Sequence, residues 1–302
     1  MSFEIVTIGS AVLDVLLRSS QFSSHQVAGE LMLCEISGGK VDVEEAMLCS
    51  GGAGTNTAVS FARQGFSTAV VAEIGIDAPA QLIIDELQRE HVDTSLIVEE
   101  AEERTGMSAI LVATDGSRSA MTFRGAAKQL SHKDIPFSVL EQVPAIHLSS
   151  IGNADLVREI ALFSKEKGIH LSWNPSAAEL KDVVLQSSEA LHNSVQVVCV
   201  NDLEYEEIQN HNASLSKIAS TIIVTKGKDG GEVISSGSKY PYLAKPVIAV
   251  SELGAGDAFI SGFVGARLLK QSIEEAILRG TQNAASVVQH LGAKKGLLTF
   301  SS

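Results

Sequence analysis

Residues 145–173 read AIHLSSIGNADLVREIALFSKEKGIHLSW. Two short apolar runs, AIHLSS and IHLSW, have the length and composition of buried strands, and ADLVREIALFSKEKG between them is a helix. The alternation continues downstream. SVQVVCV (194–200) reads as a strand, DLEYEEI (202–208) as a helix and TIIVTKG (221–227) as a strand. Two helices follow, one opening at GAGD (254–257) and one around IEEAILRGTQNAASVVQHLG (273–292). Strands alternating with helices imply a mostly parallel sheet covered on both faces.

Upstream of this stretch the rhythm is less even. FEIVTIG (3–9) is a short apolar strand ending in glycine, and AVLDVLLRS (11–19), ELMLCEI (30–36) and KVDVEEAMLCS (40–50) read as further strands. TNTAVSFARQG (55–65) reads as a helix closed by Gly65, STAVVAEIG (67–75) as a strand, and APAQLIIDELQREH (78–91) as a helix with one apolar face. Residues 107–124 form a hairpin turning at TDGS. The β-rich insertions at about 10–50 and 104–125 fall outside the α/β rhythm and are expected to form a small sheet over one edge. The parse is one domain with a lid.

The 302 residues, 45% apolar and 20% charged, have ordinary globular composition, and a net charge of −13 argues against nucleic acid or an anionic membrane as partner. No stretch is long and uncharged enough to span a bilayer. The N-terminal MSFEIVTIGSAVLDVLL lacks a basic leader region and reads as a strand. Cys34, Cys49 and Cys199 show neither metal-ligand spacing nor a disulfide framework, so a reduced, cytoplasmic setting is expected.

Five motifs carry candidate chemistry. In SELGAGDAF (251–259), Gly254, Ala255 and Gly256 let backbone N–H groups converge on an anion at a helix N-terminus. Asp257 beside them either caps the helix or accepts a substrate hydroxyl proton. SGGAGTN (50–56) is a turn before a helix. It lacks the third glycine of a dinucleotide fingerprint and the Gly-Lys-Ser/Thr of a P-loop. Its glycines admit close backbone approach to a polar small molecule, and Asn56 offers a donor and an acceptor to hydroxyls. Asp14 is either an edge-strand charge facing solvent or an acceptor of hydrogen bonds from adjacent sugar hydroxyls. Asn201 and Glu204 in NDLE make a capping box, or contact a phosphate and hold a water on Mg²⁺. TKGKDGGEV (225–233) is a hairpin whose exposed backbone suits a nucleotide phosphate or ribose. The eight histidines show no ligand spacing, and Trp173 reads as a core or strand-end residue.

In their order and spacing these motifs resemble the ribokinase-like (PfkB) carbohydrate kinase family over nearly the whole chain. Gly51, Gly52, Gly54, Asn56, Gly65 and Gly75 match its first signature. SELGAGDAF matches its second, DTTGAGDxF. Asn201 and Glu204 match its Asn-x-x-Glu, and Thr225, Gly227 and Gly230 its Thr-x-Gly-x-x-Gly.

The resemblance implies a three-layer α/β sandwich with a small β-sheet lid. It implies an ATP-dependent phosphotransferase acting on a sugar hydroxyl, with Asp257 as base and Gly254 to Gly256 as anion hole. ATP would enter near Thr225, Gly227, Gly230 and Asn201, with Asn283 near the adenine. The acceptor would lie between Asp14, Gly51, Gly52 and Asn56, and Mg²⁺ would bridge the phosphates, reached by Glu204 through water. Lids in this family can be exposed or shared between subunits, so a homodimer through the lid is compatible with it.

Two departures bear on specificity. Ser251-Glu252 replaces the family's leading Asp-Thr, whose carboxylate many members use in a monovalent-cation site. Only a weak response to potassium is therefore expected, and Glu252 adds negative charge near the phosphate path. GGAGTN also lacks the lysine of ribokinase-type GGKGAN, so ribose is not implied. A nucleoside acceptor would want an aromatic stacking partner, and the lid segments offer only Phe22 and Phe123. Lys40, Arg104, Arg124 and Lys128 would hold a second phosphate if the acceptor were a sugar phosphate, although each alone reads as a solvated surface charge. A non-catalytic sugar or nucleotide sensor on the same scaffold is the alternative from a different class.

Overall fold

The computed structural model describes residues 3–27, 30–34, 38–114, 116–186, 189–211 and 213–300. The chain opens with β1 (Ile5–Ile8), buried at every position, then β2 (Val12–Arg18), the paired strands β3 (Ser23–Val27) and β4 (Glu30–Cys34), and β5 (Glu45–Gly51). Helix α1 (Ala53–Arg63) follows, with β6 (Thr68–Val71), β7 (Glu73–Gly75), α2 (Ala78–Arg89) and β8 (Val98–Glu100). The antiparallel pair β9 (Gly106–Val112) and β10 (Arg118–Phe123) precedes a one-turn helix α3 (Phe137–Leu140). Strict alternation then sets in: β11 (Ala145–Ser149), α4 (Ala154–Lys167), β12 (His170–Asn174), α5 (Ala177–Leu185), β13 (Val195–Asn201), α6 (Asp202–Asn210) and β14 (Ala219–Thr225). Strands β15 (Gly231–Ser235) and β16 (Ser238–Tyr242) and helices α7 (Ala255–Leu268) and α8 (Ile273–Val287) complete it.

The large sheet has the order β16-β15-β14-β13-β12-β11-β1-β6, in which the six strands from β14 to β6 run parallel. Both faces are apolar because both are covered. On one, Phe61 of α1 and Phe259, Phe263 and Val264 of α7 pack on Ile5, Cys199, Ile223 and Val233. On the other, Leu156, Ile160, Leu180 and Ile208 of α4, α5 and α6 pack on Val6, Ile8, Ile146 and Leu148. This is the expected three-layer arrangement. Trp173 is a core residue of β12, as its setting suggested.

The β-rich insertions form a second, four-stranded sheet in the order β10-β9-β2-β5. Directly paired residues share a face. One row runs Cys49–Asp14–Ser108–Thr122, and the next, on the opposite face, runs Leu48–Val15–Ala109–Met121. Leu16, Ile110 and Val112, on the Asp14 face, pack against Leu253 and Leu291 beside the ends of α7 and α8. Leu48 and Met121, on the other, are 59% and 58% exposed.

Three local expectations change. STAVVAEIG is two strands, because β6 joins the large sheet while β7 leaves it to pair with β8. α1 begins at Ala53, inside the glycine turn. The nine-residue α5 was not anticipated, although Ser176 and Glu179 form its capping box. The TDGS hairpin is flanked by β9 and β10 as expected, with Asp115 outside the described residues. Cys49 and Cys199 are free thiols, and the side chain of Cys34 lies outside the described ones. Among the described residues, no helix is long and apolar enough to cross a membrane.

Candidate active site

In an open parallel sheet the carboxyl ends of the strands gather ligand-binding groups. Asn174 closes β12, and Asn201 and Thr225 stand side by side at the ends of β13 and β14. Facing Asn174 is the N-terminus of α7. Gly254, at φ +76°, caps it, in a conformation that side chains other than glycine rarely adopt, and a Cβ there would overlap Ala293. No side chain caps α7, and the Ala255 N–H bonds to the Glu252 carbonyl at 3.3 Å. Ala255 is thus already engaged, and an anion would find the next N–H groups of the first turn, from Gly256 on, which have no intrahelical acceptor.

Asp257 stands in this first turn, half-buried. Its Oδ2 accepts the Asn56 amide at 2.8 Å and its Oδ1 the Asn174 amide at 3.4 Å. Loss of hydration pushes its carboxyl above the ordinary range, opposed by the Asn56 amide, the Lys294 charge and the Asn174 amide. A carboxylate raised in this way is, when ionised, a stronger proton acceptor than an ordinary aspartate. Asn56 is itself buried, and its Oδ1 has no hydrogen-bond partner, which leaves an acceptor for a hydroxyl.

Asp14 is not an edge charge facing solvent. β2 lies between β5 and β9, and Asp14 is 4% exposed, its carboxyl pushed up to about 6 by burial against the lowering influence of Lys294 and Ser108. The two glycines expected to approach a ligand serve the protein first. A Cβ on Gly51 would overlap the Asp14 carboxylate, and one on Gly52, at φ +90°, would overlap the Ser10 carbonyl. Their missing side chains are space for Asp14 and Ser10.

A cleft of about 320 Å³ opens beside α7. Thr225, Gly227, Lys228 and Gly230 line it, together with Tyr242 and Phe259, stacked at 5.1 Å, and with Ala284 and Val288. An apolar wall beside lysines and exposed backbone suits a planar base carrying phosphates. Asn283 is not part of it. Fully buried, it donates to Ser60 Oγ and the Ala258 carbonyl and accepts the Leu298 N–H, so its amide is committed to packing α8 on α1 and α7. Asn201 and Glu204 form a reciprocal capping box at the start of α6, and neither lines the cleft. Glu252 at its rim pairs with Arg118 of β10 at 3.5 Å. Lys40, Arg104, Arg124 and Lys128 are all exposed.

The model of the pfkB family carbohydrate kinases matches residues 3–299. The chain belongs to this family. It is therefore a phosphotransferase of the sugar and nucleoside kinase class. It is 26% identical to a ribokinase of Staphylococcus aureus over 310 residues, covering 98% of this chain and 97% of that protein. Its fold matches that of an Arabidopsis thaliana ribokinase solved with ribose and ATP, at a TM-score of 0.74 and 19% identity over 97% of this chain and 95% of that one. An adenosine kinase from Sinorhizobium meliloti matches at 0.76 and 19%, over 97% and 96%.

Several groups at the kinase's site escaped sequence reasoning. Asn174 had a usable signal, an asparagine ending a parallel strand before Pro175. Lys294 had none. Its ammonium reaches the Ser50 carbonyl and Thr55 Oγ1, 244 and 239 positions away, from an irregular segment with no motif.

Proposed function

We propose that this kinase transfers the γ-phosphoryl group of ATP to a hydroxyl of a sugar. The observation that carries the reading is the position of Asp257, on the helix turn that borders the cleft and hydrogen-bonded to Asn56 on the acceptor side. Asp257 takes the proton of the acceptor hydroxyl as its oxygen bonds to the γ-phosphorus, and the bond from that phosphorus to the β–γ bridging oxygen breaks to release ADP. The uncapped turn from Gly256 stabilises the charge on the transferred group. Asp14 and Asn56 Oδ1 accept the acceptor's other hydroxyls.

Among the described residues no group of three His, Cys, Asp or Glu side chains forms a metal site. Mg²⁺ would be carried on the nucleotide phosphates, and Asn201 and Glu204, outside the cleft lining but next to Thr225 at the sheet end, would reach it only through water. The four-stranded sheet serves as the lid, making one domain of the chain, and its exposed Leu48–Met121 face suits a second copy. An ATP-dependent reaction is compatible with the cytoplasmic setting expected from the cysteine usage.

A sugar is favoured over a nucleoside because the Asp14 face of the small sheet carries no aromatic side chain. Phe123 belongs to the opposite face, in the row Ser50–Leu13–Met107–Phe123, and Phe22 is buried. The test is ADP release with a panel of sugars, sugar phosphates and nucleosides, with Asp257→Asn as control. Release that depends on a sugar and falls by about 10²-fold or more in the variant, with nucleotide binding kept, supports the reading. Ligand binding without any release would show a sensor instead.

A further inference from the structure

Among the described residues Lys294 is the only buried lysine, 5% exposed. Its ammonium donates to the Ser50 carbonyl and to Thr55 Oγ1, the latter at 3.0 Å. Its own carbonyl accepts Arg63 Nη1 at 2.9 Å, while the other guanidinium nitrogens grip Glu90 at 2.7 and 2.8 Å. The Ser50 N–H is held by Glu86 at 2.6 Å. The lysine is thus fixed at both ends.

Its two partners lead to the two acids placed at the acceptor: Ser50 lies between Cys49, which pairs with Asp14, and Gly51, which packs on the Asp14 carboxylate, while Thr55 precedes Asn56, which holds Asp257. Four acidic groups, each from a different element, act on the lysine: Glu86 on α2, Cys49 on β5, Asp14 on β2 and Asp257 on α7. Two of them are the acids placed at the acceptor. The hydrogen bonds to Ser50 and Thr55 would be served by a neutral amide. Burial draws the Lys294 titration down, and the carboxylates of Glu86, Asp14 and Asp257 oppose that shift and favour the ammonium.

We propose that Lys294 is a positioning residue for phosphoryl transfer, its fixed ammonium being the counter-charge that keeps Asp14 ionised for the acceptor with Asp257 beside it. This rests on the acceptor roles given above to Asp14 and Asp257. Asp14 is faced by Lys294, Glu86 and Ser108, and Asp257 by Asn56, Asn174 and Lys294. With burial and Glu86 raising it and Lys294 its largest opposing influence, the Asp14 carboxyl stands at about 6. An opposite charge nearby moves a carboxyl by roughly 1–3 pH units, so loss of the ammonium carries Asp14 through neutrality.

Lys294→Gln keeps a donor for Ser50 and removes the charge. The acid limb of kcat/KM for the acceptor is expected to move up by about one pH unit or more, with acceptor KM raised about tenfold at pH 6.5. In an Asp14→Asn background the KM part of that change should vanish. A Lys294→Gln profile that overlays the wild type overturns the proposal, as does an undiminished KM effect in the Asp14→Asn background.

Carboxyl-carbon NMR of Asp14 reads the same shift without turnover. A wild type that shows no acceptor-dependent ADP release thus refutes the kinase reading separately, while an unmoved Asp14 titration in Lys294→Gln refutes the coupling. If Lys294→Gln fails to fold, the reciprocal measurement needs no change at Lys294. By linkage, Asp14→Asn should lower the Lys294 ammonium titration, read at its ε-carbon, and an unchanged titration overturns the proposal.

Discussion

Asn56 donates its side-chain amide to Asp257 Oδ2 at 2.8 Å, joining the first turn of α1 to the first turn of α7 across 201 positions of sequence. The bond favours the ionised carboxylate against the burial that disfavours it. Asn56→Ala is expected to raise the Asp257 titration further and move the acid limb of kcat upward. Turnover at pH 7 should drop by about 10–100-fold, the equivalent of ~1.5–3 kcal/mol for a hydrogen bond to a charged group. A pH–rate profile of the variant checks both, and an unmoved acid limb would separate Asn56 from the base.

Gly51 makes room for the Asp14 carboxylate, with which any Cβ would collide. Gly51→Ala should therefore displace Asp14 and raise acceptor KM by about 10²-fold or less, as sub-ångström to ångström misplacements do. The nucleotide cleft lies outside this contact, so calorimetry should find nucleotide affinity unchanged.

Glu252 departs from the family pattern, and its partner is Arg118 on the small sheet at 3.5 Å, with both side chains substantially exposed. Such a pair contributes little to stability. Glu252→Gln is expected to leave Tm almost unchanged and to lower KM for ATP by about two- to fivefold, through removal of an anion from the cleft rim. The gain should shrink as salt is added. Ser251, for its part, accepts the Leu253 N–H at 3.3 Å and is 1% exposed. Turnover should respond only weakly when potassium replaces a bulky organic cation.

Glu73 is buried in β7, with Oε2 unpartnered, and burial pushes its carboxyl up to about 7, with Asp134 and Glu100 adding to the shift. A carboxyl raised from 4.5 binds its proton more tightly in the folded state, so its contribution is present at acid pH and is lost as pH rises through 7. Glu73→Gln, which stays neutral, should match wild type near pH 5 and exceed it in Tm by about a few degrees at pH 8. Thermal melts across that range are the check, and a gap that does not widen with pH would show that Glu73 is not the group responsible.

What was legible in the residue string is what a few neighbouring residues decide. The alternation from Ala145 onward needs only apolar periodicity, the Asn201–Glu204 box spans one helical turn, and Gly254 announces a backbone turn by its lack of a side chain. These placed the parallel sheet, the α7 turn and the acid on it. The same locality explains the misses. Asn283 sits in a helix facing the cleft region and was assigned to the nucleotide, but its rotation in α8 turns its amide into the core, where Ser60 and Ala258 take it up.

Most of the elements, their order and the reactive types were legible in the chain, because helix periodicity, caps and glycine turns are set within about four residues. Which of those groups meet was settled by long-range packing. Asn174 reaches Asp257 from 83 positions away, and Lys294 reaches Ser50 from 244. The charge each acid carries follows from those meetings, since burial and the nearest opposite charge set it, and both belong to the packed chain.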